Sequence, residues 1–390
     1  MKKSSSKIRG VNLGGWLMME GYILHGRNIA ESVFKRNFEK VNGSAALRDF
    51  EENFRDSFIT EGDFKNLSSL GVNAVRVPFN HKLVETSPYK HNEKGLGFLD
   101  RVFEWGKKHK IKIILDLHAA PGAQNCDWHG DCNIRALFWE KGHYRQRTLA
   151  LWEFIADRYK NEEALLGYDV INEPVLFQNK EKILFDFYKE ALKTIKAIDS
   201  RHRIFLEGSL WAQEIDFLTD LIDENISISI HYYQPLQYTF NFTPFYAFPG
   251  RIENGLWDKK TISRTLKPYY DFSRKNNVDI FVGEFGINWR GGHYGEIRWL
   301  NAVLDSFEEF GFDYAYWTYK AVSNNVFPDG LYQNVPNNDF IRREGPLYGW
   351  ENYISLWKQR KKEIIKFWQD GSFKPNNEIL NVLKTYFKRN

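Results

Sequence analysis

Two glutamates, Glu173 and Glu284, each close an apolar run, in Asn172-Glu173-Pro174 and Gly283-Glu284-Phe285-Gly286. Such a pair suits hydrolysis of a glycosidic bond if the two carboxyls differ in state. One gives a proton to the leaving oxygen; the other, ionised, attacks the anomeric carbon. Glu173 is the candidate acid/base, with Asn172, His231 and Tyr233 among its expected neighbours. A partly buried, acid-rich setting is expected to raise its pKa. Glu284 is the candidate nucleophile, held ionised by the permanent charge of Arg76. Tyr233 would donate a hydrogen bond to that nucleophile, and Asn172 would hold the sugar 2-hydroxyl. Trp317 would form the floor on which the ring stacks.

Other apolar runs also stop at polar residues. They end at Asn12, at Arg76, at Asp116-Leu117-His118, at Glu207, at His231 and at Trp317. Each has a plain structural explanation. A carboxylate ending a strand can cap the next helix, Arg76 can pair with any acid, and His118 can be a satisfied core residue. Their coincidence at one rim is what packing alone does not select.

These residues need elements that bring them to that rim. Apolar runs at 8–13, 72–77, 110–117, 166–171, 204–206, 226–230, 279–283 and 312–317 predict eight strands. Helical periodicity lies between them, for example over 98–109, 145–159, 180–198, 261–275 and 294–310. Apolar runs alternating with helices argue for a parallel sheet covered on both faces, and eight such units for a closed (β/α)8 TIM barrel. In that fold the C-terminal strand ends carry the chemistry. A doubly wound sheet is the other candidate, but no Gly-rich phosphate fingerprint follows any strand. Segment 30–70 holds more helical pattern than one unit needs, so extra N-terminal helices are expected. Segment 322–353, rich in Asn, Pro and Gly, predicts a long loop. One domain over 1–390, with elaborated βα loops, fits better than two.

Composition narrows the partners. The 390 residues are 43% hydrophobic, which excludes disorder as the main state. Lys and Arg total 54 against 50 Asp and Glu, and the charge is dispersed, so no nucleic-acid partner is expected. Residues 359–363 include an acid and predict a solvated helix face. Aromatic residues make up 16% of the chain and can stack on bases or on the C–H faces of sugars; the balanced charge favours a neutral, ring-shaped ligand over an anionic polymer. No run is long and apolar enough for a membrane span. Residues 1–7 are charged without an apolar stretch behind them. They do not read as a signal peptide, so a cytoplasmic protein is expected, or a secreted one if a leader has been removed.

The whole set resembles glycoside hydrolase family 5 of the retaining (β/α)8 clan, over roughly residues 8–317. That resemblance implies an acid/base role for Glu173 and a nucleophile role for Glu284. It also implies site roles for Arg76, His118, Asn172, His231, Tyr233 and Trp317, with no cofactor and no metal. The segment Gly10-Val11-Asn12-Leu13-Gly14-Gly15-Trp16 followed by Glu20 is similar to the exo-β-1,3-glucanases of the family. There the glutamate holds a terminal glucose. The run 115–125 is similar to their third βα loop, but Cys126-Asp127-Trp128-His129-Gly130-Asp131-Cys132 then departs from it. Three readings of that segment stay open: free thiols, a short disulfide, or a zinc site one ligand short of four. His129 is either a sugar contact or a loop residue. The expected activity is exo-acting hydrolysis of β-linked glucosides or glucans by a monomer. An endo-β-glucanase or β-mannanase is the enzymatic alternative, and a non-catalytic carbohydrate-binding protein the other class.

Overall fold

Eight strands close into a parallel barrel in chain order: β1 (Arg9–Asn12), β2 (Ala74–Asn80), β3 (Lys112–Ala119), β4 (Leu165–Asp169), β5 (Arg203–Glu207), β6 (Ile226–His231), β7 (Asp279–Phe285) and β8 (Asp313–Tyr316). This computed structural model describes residues 7–176, 180–322, 326–334 and 350–389. It is a (β/α)8 barrel, as the alternation of runs predicts. Three helices lie between β1 and β2, two more than one unit needs: α1 (Glu31–Asn42), α2 (Ser44–Phe58) and α3 (Glu61–Leu70). Then come α4 (Glu93–His109), α5 (Gly142–Tyr159), α6 (Glu181–Ile198), α7 (Lys259–Asn276), α8 (Glu296–Phe310), α9 (Trp350–Trp368) and α10 (Asn377–Phe387). No helix among the described residues is long and apolar enough to cross a membrane.

Phenylalanines four apart, Phe34 and Phe38 on α1 and Phe50, Phe54 and Phe58 on α2, form one face of each helix and are fully buried. They pack on α9, with Phe34 stacked on Trp350 at 4.4 Å and Phe50 edge-on to Trp357 at 5.1 Å.

Strand periodicity positions the site. Side chains two apart share a face, so Ala74 and Arg76, Ile114 and Asp116, and Phe205 and Glu207 all enter the lumen. Ile8, Ala74, Ile114, Phe205, Phe281 and Ala315 form the apolar plug. The polar residues stand above it, nearer the C-terminal strand ends. β7 runs past its expected end at 283 because a bulge between Val282 and Glu284 lets the ladder resume, pairing Glu284 with His231. Bulges re-aim side chains beside active sites. Gly283 must be glycine, because a Cβ there would lie 2.7 Å from Ser229 Oγ and 3.1 Å from His231 Nε2.

Segment 322–353 is only partly a loop. Tyr332–Asn334 pairs with Lys320–Val322 as a small outer strand, and Trp350–Tyr353 already belongs to α9. Residues 323–325 and 335–349 lie outside the described residues.

Candidate active site

Arg76 organises the lumen. It is fully buried, yet its guanidinium is matched on every side. Nε donates to Asp169 Oδ2 at 2.8 Å, and Nη1 to Glu284 Oε1 at 2.9 Å and Asn12 Oδ1 at 3.2 Å. Nη2 donates to Asn172 Oδ1 at 2.7 Å and Glu207 Oε1 at 2.9 Å, with Asp116 Oδ2 at 3.1 Å. Only a planar fork of five donors satisfies so many acceptors at once.

Charge balance explains how these acids coexist. Burial lifts the Asp116 carboxyl to about 8 and moves Asp169 in the same direction. Glu207 is different: burial is opposed by the His231 charge at 3.3 Å and by Arg76, which hold it down at about 2. Cationic Arg76 and His231 are therefore set against Glu207 and Glu284, with protons retained on Asp116 and Asp169. The oxygens of Asp116, Asp169 and Glu207 lie within 4.8 Å of one another, but side chains already supply the countercharge a metal would bring.

Glu284 is held from two sides. Arg76 binds Oε1, and the Tyr233 hydroxyl donates to Oε2 at 2.8 Å. Glu173 lies opposite, with an oxygen within 4.8 Å of one from Glu284 and of a His231 ring nitrogen. Its backbone φ of 44° is left-handed, an unusual conformation for a residue with a side chain. Two bonds impose it: its N–H donates to Glu207 Oε2 at 2.6 Å, and its carbonyl accepts from Asn125 Nδ2 at 2.9 Å.

A cavity of about 430 Å³ opens over this pair, within the ~300–1,000 Å³ of ligand pockets. Glu20, Tyr22, His118, Trp128, His129, His231, Tyr233 and Trp317 line it with both glutamates. A sequence model of the cellulase family, glycosyl hydrolase family 5, matches residues 34–323. The chain belongs to glycosyl hydrolase family 5.

This hydrolase is 29% identical to a β-xylosidase of Phanerodontia chrysosporium over 81% of its own length and 67% of the relative's. It is 26% identical to endoglucanase C of Acetivibrio thermocellus, covering 82% and 92%, and 28% identical to a glucan 1,3-β-glucosidase of Schwanniomyces occidentalis, covering 77% and 69%. In fold it resembles endoglucanase Cel5A of Thermotoga maritima, with TM-score 0.61, 24% identity and coverage of 83% and 92%.

The nine site residues read from the sequence converge. Asn172 Nδ2 is buried without a protein partner, as is Glu20 Oε1. Burial lifts the Glu20 carboxyl to about 8 against the opposing charge of His129, so it is protonated at neutral pH. The Trp317 ring stacks on His118 at 5.5 Å and 11°, and its indole N–H donates to the Tyr22 hydroxyl. His118 Nδ1 bonds Asp116 Oδ2 at 2.7 Å, and burial holds its ring neutral, down at about 3.

The expected direction for the Glu173 pKa is reversed. Burial pushes it up, but the His231 hydrogen bond and then the His129 and His231 charges outweigh it, and the net shift is downward. His231 Nδ1 lies 2.7 Å from Oε1, and His129 Nε2 3.3 Å from Oε2. Glu207 was visible as a strand end but nothing marked it as the link between Arg76, His231 and Glu173. His129 reaches the site from the loop after β3, where only a spatial neighbour reveals its role. Cys126 and Cys132 are free thiols, not a disulfide, and His129 Nε2 lies 3.3 Å from Glu173 Oε2 and 3.5 Å from Asp127 Oδ2. In the loop after β6, Phe240 and Phe242 line the cavity, whereas Tyr238 and Phe248 are buried in the core.

Proposed function

We propose that this hydrolase is a retaining β-glycosidase that removes single sugars from the non-reducing end of β-linked glucosides and glucans. Glu173 is the acid/base and Glu284 the nucleophile. The spacing of the two carboxylates carries the reading. Oxygens of the pair lie within 4.8 Å, close to the ~5–5.5 Å between carboxyls in double displacement and short of the ~6.5–9.5 Å that inversion needs.

In the first step a Glu284 oxygen bonds the anomeric carbon as the bond to the leaving oxygen breaks. Glu173 gives that oxygen its proton. In the second step water passes a proton to Glu173 and attacks the same carbon, and Glu284 departs as the carboxylate. Arg76 and Tyr233 steady the charge that leaves and returns on Glu284. The unpartnered Asn172 Nδ2 suits the sugar 2-hydroxyl, a contact that strengthens in the transition state. Trp317 is the floor.

Release of single sugars is supported by Glu20, buried in the cavity wall with an oxygen that lacks a partner. Two bonds from it to neighbouring hydroxyls would hold a terminal sugar and block chain continuation. The glucan 1,3-β-glucosidase relative favours the same reading, and the endoglucanase relatives favour internal cleavage. Half-exposed Trp211 and Phe242 at the cavity mouth would stack further sugar units in either case. Digestion of laminari-, cello- and manno-oligosaccharides decides between them. Single glucose units from the earliest times support the proposal, and a ladder of mixed oligosaccharides turns it to an endoglucanase or mannanase.

A further inference from the structure

The leaving oxygen needs a proton, yet both oxygens of Glu173 face imidazoles that favour its ionised form. His231 is poorly suited to release one. It is buried, and its ring nitrogens lie 2.7 Å from Glu173, 3.3 Å from Glu207 and 3.6 Å from Glu284. Neutral His231 would leave the Glu207 and Glu284 carboxylates against one guanidinium.

His129 stands differently. Its ring lines the cavity, with Nε2 at 3.3 Å from Glu173 Oε2 and 3.5 Å from Asp127 Oδ2. The charged or titratable groups that face it are Glu173 after β4, Glu20 after β1, His118 on β3 and Asp127 on its own loop. The loop is tied to Glu173 itself. Asn125 donates to the Glu173 carbonyl at 2.9 Å and accepts the Asp127 N–H at 3.0 Å. Trp211 Nε1 then pins Asp127 Oδ2 at 2.7 Å.

We propose that His129 is the proton-holding partner of Glu173, carrying the proton in the resting enzyme and exchanging it with Glu173 during each turnover. The inference rests on the acid/base reading of Glu173. A bound sugar excludes water, and a dry site disfavours two separated charges. The proton then moves from His129 Nε2 to Glu173 Oε2, leaving both groups neutral. From Glu173 it passes to the leaving oxygen, which keeps the electron pair of the broken bond. In the second step Glu173 takes a proton from the attacking water and returns it to His129, so the cycle closes without a co-reactant. Burial opposes the imidazolium, but Asp127, Glu173 and Glu20 outweigh it and push its pKa up to about 9. The pair therefore keeps its shared proton to a higher pH than Glu173 alone would.

The test is kcat/KM against pH for 4-nitrophenyl β-glucoside with the native enzyme, His129→Gln and Asp127→Asn. The basic limb is expected to move at least one pH unit lower in His129→Gln, which makes its loss at pH 8 at least tenfold greater than at pH 5. Asp127→Asn, which strips one carboxylate from His129, is expected to move the limb the same way by less, and it decides the matter if His129→Gln does not fold. A limb unmoved in the folded variants overturns the inference. Azide rescue of Glu173→Ala, giving a β-glycosyl azide, separates the two readings. Rescue with an unmoved limb removes the His129 role alone; failure of rescue removes the acid/base reading and this one with it.

Discussion

Glu20→Gln is expected to stabilise the enzyme at alkaline pH. Burial moves the Glu20 carboxyl from its ordinary 4.5 to about 8. Between those values the folded chain keeps a proton that the unfolded chain has released. The unfolded state thus binds fewer protons, and native stability falls as pH rises through that window. At about 1.36 kcal/mol per pH unit, the cost reaches about 3 kcal/mol at pH 7 and about 4–5 kcal/mol at pH 8. Glutamine matches the protonated carboxyl in shape and also offers a donor and an acceptor, so little changes at pH 4.5. Unfolding entropy of ~2.1 cal/mol/K per residue converts the pH 8 difference, for 390 residues, into about 5 °C of midpoint. Thermal unfolding of both proteins at pH 4.5, 6, 7 and 8, at one ionic strength, is the assay. The gap is expected to open from near zero to about 5 °C. A gap flat with pH, or one that favours the native chain as pH rises, would refute the reasoning. Glu20→Ala, by contrast, should lower kcat/KM on small β-glucosides more than tenfold, about 1.4 kcal/mol or more of transition-state stabilisation, because both hydrogen bonds to the terminal sugar are lost.

Glu173→Gln is expected to lose about 10²–10⁴-fold in turnover with the fold intact. Glu284→Gln should lose most activity, and azide should restore Glu284→Gly with an α-glycosyl azide as product; near-native turnover in either glutamine variant would end the assignment. Arg76→Met leaves the Glu207 and Glu284 carboxylates without their common cation, and Asp116 and Asp169 without a hydrogen-bond donor. Breaking a buried pair costs about 3–5 kcal/mol, and unfolding at pH 8 should show that loss. The deficit should shrink towards pH 4, since the stranded carboxylates can then take up protons; an equal deficit at both pH values would contradict the charge account.

Glu173, Glu284, Arg76, His118, His231 and Trp317 were legible in the chain because each ends an apolar run in a fold that gathers such ends at one rim. Two-residue periodicity likewise placed Asp116 beneath His118 on one face of β3. The helices of 30–70 were visible because Phe34 and Phe38, and Phe50, Phe54 and Phe58, repeat every four residues. Tertiary structure alone decided the protonation of the site. Glu173 was expected to be raised by burial, but two imidazoles distant in sequence, His231 from β6 and His129 from the loop after β3, hold it down. Glu207 showed only as another strand end until closure of the barrel put Arg76, His231 and the Glu173 amide against its two oxygens. The physical reason is one of range. Element type and facing follow from the local order of apolar and polar residues, whereas a pKa depends on which charges lie within a few ångströms in a dry interior, and in this barrel those charges come from different strands.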